Sequence, residues 1–325
     1  MRRRRNCTTD LLDDVRVFSG QAHPELAQEI CERLGVPLCP SVTRRFRNDN
    51  LFVQLLTSVR EKEVFVIQSL SPPVSDHLLE LFLLLDAARS ASAARITAVI
   101  PYFSYARSDK KDEPRISIAA RLMADLLQTA GASHVLTMAL HSPQVHGFFS
   151  VPTDHLSALS IFAEYFREKD LSDTVVVSPD IGNAKRARDF ARNLGLSMVA
   201  ANKQRLEDEV VEVIEIIGEI KTRRAIVLDD EIATGGTVVE TIKALKARGV
   251  ERFYVAATHG VFCGPAMERF RAIPEIEEIV ITNTVYMPPE RRLPNMTILS
   301  AAPILAEAIR RNLAGESLQP LFAYT

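Results

Sequence analysis

Ala225-Ile226-Val227-Leu228-Asp229-Asp230-Glu231-Ile232-Ala233-Thr234-Gly235-Gly236-Thr237 is the stretch that decides how this chain folds. Its opening apolar run fits a strand covered on both faces. Two carboxylates close that strand. A Thr-Gly-Gly-Thr turn then leads into a helix expected over Val238–Arg248 and stopped by Gly249. Glycine lets backbone approach a ligand closely. The free amides of a helix N-terminus favour a phosphate, and the adjacent acids can accept hydrogen bonds from two ring hydroxyls. Strand end plus helix start is also where open α/β sheets bind ligands.

The same alternation extends in both directions. Upstream, the pattern predicts strands at Val15–Ser19, Val64–Ser69, Arg95–Ile100 and Ser133–Leu140, with helices at Pro24–Leu34, Asp76–Ala88 and Ile116–Thr129. Around and beyond the central stretch it predicts strands at Thr174–Ser178, Ser197–Ala201, Arg224–Leu228, Phe253–Ala257 and Glu278–Thr282. Helices are expected at Ala184–Leu194 and Pro303–Asn312. Short apolar strands separated by amphipathic helices imply right-handed βαβ units and parallel sheets. The expected fold is α/β, with two similar doubly wound parallel-sheet domains over 15–157 and 158–303. A C-terminal helix near 304–318 is expected to pack back on the first.

Composition narrows the partners. The chain has 325 residues, 47% hydrophobic, enough for two ordinary cores. A net charge of −2 gives no electrostatic case for nucleic acid or an anionic membrane. Arg2–Arg5 is followed by polar residues with no apolar segment, unlike a secretory signal. The apolar run Leu78–Leu85 contains Glu80 and ends at Asp86, so it reads as a core helix and not a membrane span. The 4 cysteines show no CxxC spacing, which predicts a cytoplasmic protein without disulfides or structural zinc. Neither a P-loop nor a protein-kinase glycine loop is present.

The central stretch resembles the sugar-diphosphate loop of the type I phosphoribosyltransferase fold. Four further segments narrow the resemblance. These are Val99–Lys111 (with Pro101-Tyr102 and Tyr105-Ala106-Arg107), Leu140–Phe149, Val177–Arg186 and Thr258–Ala266. Together they resemble the ribose-phosphate pyrophosphokinases over residues 15 to 322. The resemblance implies transfer of the β,γ-diphosphate of ATP to O1 of ribose 5-phosphate. It implies that Asp229, Asp230, Thr234, Gly235, Gly236 and Thr237 hold ribose 5-phosphate. Phe46, Asn48, Asn50, Arg107, Ser108, Asp112 and His141 would form the ATP site, and His141 and Asp180 would serve Mg2+. Lys203 and Arg205 match the family's catalytic loop. A homohexamer, with phosphate and nucleotide effectors, is also implied.

The chain departs from the family pattern in the same region. Ala233, Ala139 and Ser150 stand where the family has Asp. Ser108 replaces Gln, Asn50 replaces Glu, and Arg47 replaces Ser. These departures leave open a catalytically weak homologue that assembles with active subunits. The loop alone would also allow a phosphoribosyltransferase, against which the segments at 46–50 and 107–112 argue.

Overall fold

The structure is a computed structural model that describes residues 12–205 and 211–322, with the side chains of 203–205 and 211–214 outside the description. It divides into two units. The first comprises residues up to Leu156 with Thr284–Tyr286 and Ala301–Phe322, and the second comprises Ser157–Asn283 with Met287–Ser300.

The first unit runs through β1 (Val15–Ser19), α1 (Pro24–Leu34), β2 (Ser41–Arg45), β3 (Leu51–Leu55), β4 (Glu63–Ile67), α2 (Val74–Ser90), β5 (Arg95–Ile100), α3 (Ala119–Ala130), β6 (His134–Met138) and β7 (Thr153–Leu156). Strands β1, β4, β5, β6 and β7 form a five-stranded sheet in that order, every pairing parallel. β2 and β3 stand apart as an antiparallel hairpin. Helix α1 starts where its geometry allows. Pro24 occupies the first turn, the His23 side chain accepts from the Leu26 amide, and Gly35 ends it in the left-handed region. Val64, Val66, Ile96, Ala98, Ile100 and Val135 share a core with Leu81, Leu84 and Leu85 of α2 and Met123 and Leu127 of α3. The alternate residues Phe65, Ile67, Val99 and Leu136 are buried as well, so both sheet faces are covered. α1 packs on β1.

The second unit continues with α4 (Leu159–Arg167), β8 (Thr174–Ser178), α5 (Ala184–Leu194), β9 (Ser197–Arg205), β10 (Val211–Ile217), β11 (Arg224–Ile232), α6 (Gly236–Lys246), β12 (Arg252–Gly260), α7 (Ala266–Arg271), β13 (Ile276–Thr282) and β14 (Met296–Leu299). These strands form a seven-stranded sheet in the order β10-β9-β8-β11-β12-β13-β14. Only β10 is antiparallel to its neighbour. The strand order reverses at β8, whose neighbours are β9 on one side and β11 on the other. Such a reversal opens a crevice at the carboxyl ends of the two strands. The chain then returns to the first unit as α8 (Ala302–Ala314), which packs against α1.

The protein is thus α/β, built on one parallel sheet and one that is parallel except for its edge strand β10. Several elements are longer than their apolar runs. β11 continues to Ile232 because Glu231 and Ile232 still pair with His259 and Gly260 of β12. β9 continues to Arg205 because β10 folds back on it. α3 begins later than expected. Arg115 beside Pro114 takes φ +66, which breaks the helical path before Ala119.

Candidate active site

The acidic arm is made by the end of β11. Asp230 is buried and Asp229 half-buried, and the Asp230 amide donates to Asp229 Oδ1 at 2.9 Å. Burial, then the charge of Asp230, a hydrogen bond with it and the charge of Asp180 push the Asp229 carboxyl well above the usual range. Asp180 follows β8 on the other flank of the strand-order reversal. Its Oδ1 accepts from the Asn183 amide at 2.7 Å, and its carbonyl accepts from Ser178 Oγ at 2.6 Å. The two flanks are therefore near enough to feel each other's charge.

The phosphate cradle follows directly. Gly235 takes φ +75, and a Cβ there would lie 2.6 Å from the Phe270 ring. Only glycine fits that turn without a shift. The α6 N-terminus has no side-chain cap and no acidic residue in its first turn. Its amides are left for an anion. Thr234 is exposed and Thr237 half-buried at this end. Arg269 Nη1 donates to the Thr234 carbonyl at 3.0 Å and holds the loop from behind. The segment after β12 supports it too, since the Cys263 amide donates to the Ala233 carbonyl at 3.0 Å.

The residues expected at the nucleotide lie on separate supports of the first unit. Phe46, Asn48 and Asn50 form the exposed tip of the β2–β3 hairpin. The tip is closed by Phe46 N–H to the Asn50 carbonyl at 2.8 Å and by Asp49 N–H to the Phe46 carbonyl at 2.9 Å. The Phe46 ring meets Phe52 edge-on at 5.6 Å, and the Arg44 guanidinium lies over both rings. Arg107 ends a 3-10 turn over Ser104–Arg107 and is exposed, as is Asp112. Ser108 is half-buried, and its carbonyl accepts from the Ala120 amide at the start of α3. His141 is half-buried just beyond β6. Gln144 Nε2 donates to Asp109 Oδ2 at 2.6 Å and ties this segment to 107–112. The backbones of Lys203 and Arg205 lie in β9, while their side chains fall outside the described residues.

Comparison with known proteins is decisive for kinship. The N-terminal domain of ribose phosphate pyrophosphokinase matches residues 15–131, and the phosphoribosyl synthetase-associated domain matches residues 201–323. The ribose-phosphate pyrophosphokinase of Deinococcus radiodurans is 50% identical, over 94% of this chain and 97% of its own. This chain belongs to the ribose-phosphate pyrophosphokinase family. The family member from Caldanaerobacter subterraneus subsp. tengcongensis is 45% identical over 95% of this chain and 98% of its own. A crystal structure of phosphoribosylpyrophosphate synthetase from Mycobacterium smegmatis superposes with a TM-score of 0.86 at 38% identity, covering 93% of this chain and 99% of that one.

Among residues of this pyrophosphokinase family member, some supports of the site escaped the sequence. Asn183, Arg269, Phe270 and Gln144 each hold part of it by contacts between segments distant in sequence. Gln144 and Asn183 lie inside segments that carry the family resemblance, Leu140–Phe149 and Val177–Arg186, but their bonding partners could not be read from those segments. Ala139, where the family pattern has Asp, takes φ +45. Asp and Asn adopt that region more readily than Ala, so the departure leaves backbone strain beside His141.

Proposed function

We infer that this enzyme transfers the β,γ-diphosphate of ATP to O1 of ribose 5-phosphate, giving 5-phosphoribosyl 1-diphosphate and AMP. The observation that carries this reading is the acidic arm running into an uncapped helix N-terminus at the strand-order reversal of the second unit. Asp229 and Asp230 accept hydrogen bonds from the ribose hydroxyls. The 5-phosphate takes the amides of Thr234–Thr237, with the two threonine hydroxyls as further donors. Phe46 offers its face to adenine, and Asn48 and Asn50 its edge. Arg107, Ser108, Asp112 and His141 bind the rest of the nucleotide.

O1 attacks the β-phosphorus in line while AMP departs. Charge spreads over the phosphoryl oxygens, so positioning and electrostatics dominate. Lys203 and Arg205 offset that charge and shield it from water.

The donor set fits magnesium. Asp180, Asp229 and Asp230 raise the local negative potential, as the elevated Asp229 shows, and carboxylate oxygens suit a hard cation. Among the described residues no cluster of three or more His, Cys, Asp or Glu is disposed to hold a metal. Magnesium commonly binds through one or two carboxylates together with substrate phosphates. Asp180 would hold it, directly or through water, and when bound it would neutralise phosphoryl charge.

The proposal extends to a cytoplasmic homo-oligomer, a hexamer by family resemblance, answering to phosphate and nucleotide effectors. Exposed Leu79 on α2 and Leu122 and Leu126 on α3 support a covered surface. No helix of the described residues is long and apolar enough to cross a membrane.

The test is AMP release from ATP and magnesium, with and without ribose 5-phosphate and inorganic phosphate. Sugar-dependent AMP is expected, and a folded protein giving none would overturn the reading. Lys203→Ala is expected to lower kcat by about 100-fold or more, the scale of losing one group that stabilises transition-state charge.

A further inference from the structure

Asn183 makes a hydrogen bond that its place in the helix does not call for. It is the N-cap of α5, where an Asn side chain ordinarily accepts from an amide of its own helix. Here it makes no capping bond. Its Nδ2 donates instead to the carbonyl of Leu228 at 3.0 Å, the residue before Asp229. The ladder between β8 and β11 ends at the pair Val177–Val227. Asn183 therefore supplies the next link across the strand-order reversal, where the two strands no longer bond directly. Its backbone amide meanwhile donates to Asp180 Oδ1 at 2.7 Å. A single residue, 8% exposed, thus bonds to both flanks of the acidic site.

We infer that Asn183 is a positioning residue for the diphosphoryl transfer: it sets the spacing between Asp180 and the Asp229–Asp230 arm, and so the fit for sugar and magnesium. This rests on the function proposed above. The local packing agrees with a precise role. Gly182 keeps the loop close to Asp180, since a Cβ there would lie 3.3 Å from Asp180 Oδ1. The core side of α5 is filled by Ala187, Phe190 and Ala191 without help from Asn183.

Asn183→Ser separates the brace from helix capping. Serine is a good N-cap but is too short to reach the Leu228 carbonyl from the same backbone. The expected result is a single cooperative melting transition, lowered by the loss of one buried hydrogen bond, with a rise of about tenfold in both the KM for ribose 5-phosphate and the magnesium concentration giving half-maximal rate. The KM for ATP at saturating magnesium stays at the wild-type value. Asn183→Ala reproduces this split. Wild-type sugar KM and magnesium midpoint in both variants would overturn the inference. So would a fall in kcat alone that tracks the unfolded fraction. If the wild-type protein releases no sugar-dependent AMP, the proposed function fails on its own. Calorimetric titration with ribose 5-phosphate then decides, and equal affinity in wild type and Asn183→Ser would overturn the positioning role.

Discussion

A carboxyl group held among other carboxyls costs the free protein stability, and a bound ligand or cation offsets that cost. Asp229 is in this situation, its carboxyl raised first by burial and then by Asp230 and Asp180. A raised folded pKa means that the group's contribution is fully favourable below the unfolded value, ~4, and is lost as pH rises through the folded value. Asp229→Asn is therefore expected to raise the melting temperature of the free protein. The gap from wild type should widen as pH climbs above ~4, while turnover is lost. Calorimetry across pH, paired with the AMP assay, checks both, and a variant less stable than wild type at neutral pH contradicts it. Gly235 carries the opposite kind of constraint. Gly235→Ala places a side chain at φ +75 and against Phe270. A destabilisation of at least ~1 kcal/mol and a raised KM for ribose 5-phosphate are expected from denaturant melts and kinetics. Both residue types were legible because glycine and paired acids at a strand end have few other uses. Asn183 was not, because its partner Leu228 lies 45 residues away in the chain.

At the scale of elements, the sequence was most readable where periodicity had a capped end. Strands Val15–Ser19, Arg95–Ile100 and Thr174–Ser178 and helices Pro24–Leu34 and Ala184–Leu194 form with the bounds their patterns imply. The strands missing from the sequence reading were short, polar or at an edge, and the helices α4 and α7 were missed as well. β2, β3, β7 and β14 alternate weakly or not at all and owe their form to a partner strand, while the alternation of β10 is broken by a bulge between Val213 and Glu215. The hairpin matters most, because its tip carries Phe46, Asn48 and Asn50. Its register brings Arg44 opposite Phe52 and Arg45 opposite Leu51. Arg45 then pairs with Asp49 at 2.9 Å and with Asp76 at 2.8 Å. Those bonds fix the tip while Phe46 itself stays 45% exposed. An exposed ring contributes little to folding. Phe46→Ala is expected to leave the melting temperature within ~1 °C of wild type, because surface changes seldom exceed ~0.5 kcal/mol. The KM for ATP should rise about fivefold or more, the loss of roughly 1 kcal/mol of ring stacking. A large stability loss with unchanged KM would return Phe46 to a packing role.

For the whole molecule, the consequential step is the return of the chain end to the first unit, where the sequence reading expected a C-terminal helix to pack but gave no sign of the polar contact that holds it. α8 buries Ala302, Ile304, Leu305, Ala308 and Ile309, and α1 is its packing partner. A polar lock adds to this apolar contact. Asn312 Nδ2 donates to Asp154 Oδ2 at 3.1 Å, and His134 Nε2 donates to the same oxygen at 2.9 Å. Thr97 Oγ1 then faces His134 Nδ1 at 3.4 Å, which suits that tautomer. Burial tends to raise Asp154, yet the bonds from His134 and Asn312 outweigh it and hold the carboxyl below its usual range. A depressed folded pKa contributes stability that is present above the unfolded value of ~3.9 and is lost as pH falls through the folded value. Asn312→Ala is therefore expected to cost about 1–2 kcal/mol at neutral pH, the worth of a hydrogen bond to a charged acceptor. Asp154→Asn should cost a comparable amount at neutral pH and approach the wild-type stability in acid. Urea melts from pH 7 down to about 3 would reveal this convergence, and a constant gap across that range would show that the Asp154 charge does not fasten the chain end.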